Sequence, residues 1–184
     1  MPNNESAHSM DDVYLKPGHL FRRMQQIAVA IFMEECAPLD LTPVQYATLV
    51  AIRDYPGVDA TRLSALIAFD RSTLGSVMER LETKGLITRR ATPEDRRVKH
   101  LHLSQKGQRL LEKAIPLVDR AQERMLAPLP AKDQKTIMKL LAQLVDLNND
   151  NSRAPMRPIK PKSAGRAAAK TAPAPKPKKA QPRD

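Results

Sequence analysis

Apolar positions along the chain fall into six stretches of helical period, with a pair of strand-like stretches between the fourth and the fifth. From Pro17, Leu20, Met24, Ile27 and Ile31 recur at intervals of 4, 3 and 4, with Phe21, Ala28 and Phe32 beside that stripe. The pattern predicts a long helix with a broad apolar face, ending before Pro38. Thr42-Pro43 starts the next, because the Thr hydroxyl caps free N–H groups and proline suits the first helical position. It carries Tyr46, Leu49, Val50 and Ile52 and stops at Tyr55-Pro56-Gly57.

Asp59 caps a short helix with Leu63, Leu66 and Ile67 on its apolar face. Asp70 caps another, with Leu74, Val77, Met78 and Leu81 facing inward and Gly85 just past the end. Two short capped helices across a tight turn form a helix-turn-helix candidate. Leu86 to Ala91 and Val98 to Ser104 read as strands around a polar tip, Thr92 to Arg97, which together predict a β-hairpin wing. Ser104 caps a long helix through Leu110, Leu111, Ala114, Leu117, Val118, Ala121 and Met125, with a bend expected at Pro116. A last helix after Pro130 carries Ile137, Leu140, Leu141, Leu144 and Leu147 on one face.

The expected fold class is mainly α with a small β wing. It is a winged helix-turn-helix with long N- and C-terminal dimerisation helices. Residues 1–14 lack a hydrophobic period and read as a flexible arm. Residues 15–55 read as a pair of helices, 56–109 as the winged helix-turn-helix lobe, and 110–150 as a second pair of helices. Residues 151–184 mix Pro, Ala and Lys, with seven of the sixteen prolines, and read as a disordered basic tail that buries too little to offset ordering entropy.

Location changes the meaning of the net charge of +11. Residues 153–184 hold ten Lys or Arg against one acid, leaving only +2 for residues 1–152. Within that body, Pro56 to Arg109 carries eleven bases and six acids, so a basic middle sits between mildly acidic flanks. A single cysteine, Cys36, excludes an internal disulfide, and no Cys/His group has metal-ligand spacing, so neither metal nor cofactor is expected. No run of 18 apolar residues and no leader pattern appears, which points to a cytoplasmic protein with no membrane partner.

A helix entering the major groove needs short polar or basic side chains near its start. Asp70-Arg71-Ser72-Thr73-Leu74-Gly75-Ser76 has them: Ser72, Thr73, Gly75 and Ser76 leave room, and Arg71 reaches a phosphate or a guanine. Thr61 and Arg62, at the start of the preceding helix, join the same candidate surface. The stretch also fits an ordinary surface helix with a Ser-rich first turn. The hairpin that follows adds Arg89, Arg90, Arg96, Arg97 and Lys99, charges suited to phosphates and the minor groove.

Together these motifs resemble the MarR family of bacterial regulators. The matching residues are Asp70-Arg71-Ser72-Thr73, Glu79-Arg80-Leu81-Glu82, Lys84-Gly85-Leu86-Ile87, Asp95-Arg96-Arg97 and Leu103-Ser104-Gln105-Lys106-Gly107. The resemblance covers roughly residues 17–148. It implies a homodimer with interlocked terminal helices, double-stranded DNA as partner, and nucleoid association when bound, which makes residues 15–55 dimerisation and effector-pocket helices, 56–109 the DNA-binding lobe and 110–150 further dimerisation helices. By position it makes Arg97 the wing-tip arginine and Asp95 the acid that orients it. Ser76 departs from the many relatives that carry arginine there, which shifts base reading toward Arg71, Ser72, Thr73 and DNA shape.

The resemblance also implies a small aromatic acid between the dimer helices and the DNA-binding lobe. Lys16, His19, Arg22, Arg23 and Tyr46 are the candidate effector residues, since Arg clamps a carboxylate and His19 adds a donor. Gly18-His19-Leu20-Phe21-Arg22-Arg23 is similar to regulators of aromatic-acid breakdown, nicotinate-catabolism repressors among them, which points to a nicotinate-type or benzoate-type effector. Cys36 reads as a redox sensor or, beside Glu34 and Glu35, as a buried inert thiol. No nucleophile, base and orienting acid come together, which argues against an enzyme; His100 and His102 share a strand face but lack a third ligand. The standing alternative to a sequence-specific repressor is an architectural DNA-binding protein that uses its basic tail through counterion release.

Overall fold

Ser9 opens the chain's first helix with a capping box: its hydroxyl accepts from the Asp12 N–H, and the Asp12 carboxylate accepts from the Ser9 N–H. The resulting helix α1 (Met10–Leu15) corrects the expectation of an arm reaching residue 14. Two acids in its first turn, Asp11 and Asp12, complement the helix dipole, a local cause that a search for hydrophobic period passes over. The computed structural model describes residues 9–91 and 98–158. Residues 1–8, the expected wing tip with Asp95, Arg96 and Arg97, and the tail from residue 159 lie outside the described residues.

The elements that follow are α2 (Pro17–Glu35), α3 (Pro43–Asp54), α4 (Ala60–Ile67), α5 (Arg71–Thr83), β1 (Ile87–Ala91), β2 (Lys99–Leu103), α6 (Gln105–Leu126) and α7 (Ala131–Leu147). Each predicted helix is present, and each strand is one residue shorter at its outer end or ends than the pattern suggested. Thr42, Asp59, Asp70 and Ser104 all cap as their chemistry predicts, through hydrogen bonds to backbone N–H groups in the following first turn. Pro116 lies inside α6 without ending it. It faces solvent, as does Glu112 one turn earlier, so water is available to the carbonyl that proline leaves unpaired.

One core joins the middle of the chain. Leu49, Ile52, Leu63, Leu74, Leu81, Ile87, Leu101 and Leu111 are fully buried, contributed by α3, α4, α5, both strands and α6. Each such side chain contributes about 1.5–3 kcal/mol through removal from water. β1 and β2 pair antiparallel, with Ile87 opposite Leu103 and Ala91 opposite Lys99. A bridge between Val58 and Leu101 adds the loop before α4 as a third, minimal strand, so the wing is tied to the helix-turn-helix.

α2 packs along α6, and ion pairs close that seam: Arg124 with Glu34 at 2.7 Å and with Glu35 at 3.3 Å, and Arg120 with Glu35 at 3.4 Å. The far side of α2 stays open, with Leu20, Phe21, Met24 and Ile27 exposed. No residue of α7 is buried, and Leu140 and Val145 are 57% and 63% exposed.

The chain past α7 corrects the expectation of a tail disordered from residue 151. A 3-10 turn at Asn149–Asn151 reverses the chain, and residues 152–158 return to α4, where the Arg157 N–H donates to the Ala65 carbonyl at 2.8 Å.

Gly107 packs the start of α6 against the chain leaving α5, and a Cβ there would overlap the Leu86 carbonyl oxygen. Gly107→Ala is expected to lower stability by about 1–3 kcal/mol through overpacking. Urea denaturation checks this; an unchanged midpoint would contradict the close approach.

Candidate nucleic-acid interface

Asp70 organises the first turn of α5. Its carboxylate accepts from the Thr73 N–H at 2.8 Å, the Thr73 hydroxyl at 2.8 Å and the Ser72 hydroxyl at 2.6 Å. These hydrogen bonds, the Ser72 hydroxyl first, hold its pKa down to about 2 from the ordinary 3.8. The Ser76 hydroxyl donates to the Thr73 carbonyl at 2.9 Å. Arg71, Ser72, Thr73 and Ser76 are exposed, and nothing lies within 4 Å of a Cβ built on Gly75. The start of α5 thus presents a low polar surface with one long cation.

The turn that sets α4 against α5 passes through Ala68 in the left-handed region, at φ 52°. The Phe69 N–H donates back to the Ser64 carbonyl at 3.2 Å, and the Ser64 hydroxyl donates to the Phe69 carbonyl at 2.5 Å. At its other end α5 closes on Gly85, at φ 69°: the Gly85 N–H donates to the Glu82 carbonyl and the Leu86 N–H to the Leu81 carbonyl.

A cleft of about 530 Å³ separates the starts of α4 and α5 from the hairpin. Thr61, Arg62, Arg71, Arg89 and Lys99 line it, with Asp59 at its edge. Five of the predicted residues therefore meet in one place. Asp59 is engaged: it accepts from the Thr61 and Arg62 N–H groups at 2.8 and 2.9 Å, and the Arg62 side chain stands 3.6 Å away.

The wing arginines divide. β1 alternation puts Arg89 on the face of Ile87, toward the core, and its Nε stands 2.9 Å from Glu82 Oε2 as an ion pair. The alignment is not that of a hydrogen bond, and Nη2 is buried without a partner. Arg90 is exposed on the opposite face, with His100 as its cross-strand neighbour. His100 is not a free ligand, since its Nδ1 donates to the Gly57 carbonyl at 2.7 Å. No metal-holding group of three or more side chains occurs among the described residues.

The expected effector residues do not converge within one protomer. Lys16, Arg22 and Arg23 are exposed at the first turns of α2, and Arg22 donates to Gln26. The His19 ring lies against Tyr14, centroids 5.4 Å apart, with its Nε2 buried and unpartnered. Tyr46 packs on Phe32 at the other end of α2, ten residues or about 15 Å along the helix from Arg22. It lines a groove of about 540 Å³ between α3 and α4 with Val50, Tyr55, Leu66 and Ile67. Burial foremost, then Asp119, raises the Tyr46 phenol above its ordinary range, so the hydroxyl remains a donor. Cys36 is fully buried, and burial first and Glu35 second raise its thiol pKa, as expected for an inert cysteine.

Capped helices across a tight turn, the second presenting an open polar start, followed by an antiparallel hairpin, define a winged helix-turn-helix protein of the DNA-binding class. The MarR family model matches residues 41–99. The HTH-type transcriptional repressor NicR of Pseudomonas putida is 32% identical over 135 residues, 73% of this chain and 85% of NicR. The transcriptional repressor CouR, solved with a 23-mer DNA duplex, superposes with TM-score 0.68 at 28% identity, covering 76% of this chain and 99% of CouR. Bordetella bronchiseptica BpsR, solved to explain regulation of its DNA binding by 6-hydroxynicotinic acid, superposes with TM-score 0.68 at 29% identity, covering 72% of this chain and 95% of BpsR. The chain belongs to the MarR family of transcriptional regulators. No described helix is long and apolar enough to cross a membrane.

Two measurements test this surface. Gly75→Ala should raise stability by about 0.5–1 kcal/mol, because alanine is the better helix former and meets no neighbour, yet weaken DNA binding by filling the open surface. Equal or tighter DNA binding would contradict the close-approach reading. The Asp70 carboxylate should titrate near 2 by carbon-13 NMR. Because its folded pKa is depressed, its contribution is complete above 3.8 and is lost as pH falls through about 2.

Proposed function

We propose that the protein is a homodimeric repressor that binds a palindromic operator and is released from it by a small aromatic carboxylate of the nicotinate or benzoate type. The observation that carries the reading is the open start of α5 beside the cleft of Thr61, Arg62, Arg71, Arg89 and Lys99. In it, Arg71 contacts phosphate or guanine, and Ser72, Thr73 and Ser76 approach base edges. Arg62, Arg90 and Lys99 neutralise phosphates, and Arg96 and Arg97 enter the minor groove with Asp95 orienting Arg97. Arg89 serves mainly through Glu82, fixing the hairpin against α5.

Dimerisation is supported by the open apolar faces of α2 and α7, since side chains such as Leu20, Phe21, Met24, Leu140 and Leu144 are costly to leave in water. The first turns of α2 also carry Lys16, His19, Arg22 and Arg23, so in this reading pairing through α2 sets cations beside the dimer seam. In this reading the effector ring occupies the Tyr46 groove, Tyr46 donates to its carboxylate, and Arg22, Arg23, Lys16 and His19 from the paired subunit complete the anion site. The likeness to BpsR, whose DNA binding is regulated by 6-hydroxynicotinic acid, favours a pyridine carboxylate. Residues 56–109 then form the reading lobe and residues 15–55 and 110–150 the dimer body.

The test is a gel-shift comparison of a palindrome from the protein's own promoter region with random DNA of equal length, with and without nicotinate or benzoate. The repressor reading expects preferred binding to the palindrome, loss of binding with the acid, and a dimer in analytical ultracentrifugation. Equal binding of both DNAs at physiological salt would reject it in favour of architectural binding. Arg71→Ala should cost about 1–3 kcal/mol of operator binding without changing the dimer.

A further inference from the structure

We propose that the chain beyond the last helix supplies the outer wall of the effector groove, making Met156 and Pro158 ligand-contacting residues. The inference rests on the reading of the Tyr46 groove as the aromatic-acid site. Three anchors dock the segment. The Asn149 side chain clamps the Met156 backbone: Oδ1 accepts from its N–H at 2.8 Å, and Nδ2 donates to its carbonyl at 3.3 Å. The Arg157 guanidinium donates to Asp150 at 2.9 Å. The Arg157 N–H donates to the carbonyl of Ala65, one of the last four in α4 that the helix itself leaves unpaired. The segment thus gives a helix end a partner that this end otherwise lacks.

Docking sets Met156 and Pro158 along the groove facing Tyr46, Val50, Leu66 and Ile67. The groove measures about 540 Å³ with the segment in place, within the usual size of small-molecule sites. It is therefore a wall beside the space and not a plug within it. Its chemistry suits a flat ring, because a flexible thioether makes favourable contacts with aromatic rings. Met156 is 43% exposed, so a ring in the groove would cover apolar surface that water now touches.

The experiment is calorimetric titration of the full-length protein with nicotinate and with benzoate, together with amide hydrogen exchange at Arg157. Met156→Ala should weaken acid binding about two- to tenfold, the range of a lost sulfur–aromatic contact. Met156→Leu should recover part of it, and operator binding without acid should be unchanged in both. Asn149→Ala should weaken acid binding likewise and speed exchange at Arg157. If Met156→Ala binds the acid as tightly as the unaltered protein, the wall is refuted; tighter binding refutes it too, by making the segment an obstruction. If neither acid binds the unaltered protein, the effector reading fails instead. The docked wall is then judged by exchange alone: slow exchange at Arg157 that Asn149→Ala accelerates upholds it, and free exchange overturns it.

Discussion

Ser104 is the joint on which the rest of the molecule turns. Its hydroxyl donates to the Gly85 carbonyl at 2.7 Å and accepts from the Gly107 N–H at 2.9 Å, while its N–H donates to the Leu86 carbonyl at 3.0 Å. One residue therefore caps α6, terminates β2 and holds the chain that leaves α5. Lys106 adds a bond from its ammonium to the Lys84 carbonyl, and Lys84 reaches Asp40 at 2.6 Å. With glycine at 107 the backbones meet directly, without side chains to deform between them. The direction of α5 is thereby fixed to α6, and α6 to α2 through the Glu34, Glu35, Arg120 and Arg124 pairs. The end of α5 and the start of α6 are thus joined by short polar contacts instead of a flexible linker.

The long helices and their caps were legible in the chain because each rests on local chemistry. Thr42, Asp59, Asp70 and Ser104 lie next to the N–H groups they satisfy, and the apolar periods of α2, α3 and α6 report a face, not a partner. What stayed hidden depends on distant residues or on short polar patterns. Arg89 looks like a free cation beside Arg90 until strand alternation turns one inward to Glu82 and the other outward. α1 needs only Ser9 and Asp12, too brief a pattern to show hydrophobic period. Residues 152–158 look like tail by composition, and they are held by Asn149 and by a carbonyl more than eighty residues away in the chain.

The middle of the described chain and its two ends differ in how their apolar faces are covered. The middle closes on itself, with Leu49, Ile52, Leu63, Leu74, Leu81 and Leu111 sealed from water by a chain that folds around them. α2 and α7 do not, and their exposed stripes make the single subunit a poor resting state. If the two stripes are covered by a second copy as proposed, stability depends on protein concentration as well as on temperature.

The bonding around Asp70 sets what kind of base edge α5 would address if it enters the groove as proposed. The hydroxyl protons of Ser72, Thr73 and Ser76 are all directed inward, to the Asp70 carboxylate and the Thr73 carbonyl. What they leave outward is lone pairs. A helix so arranged, entering the major groove as proposed, would offer acceptors to amino groups, the N6 of adenine and the N4 of cytosine, and Arg71 would offer donors to the O6 and N7 of guanine.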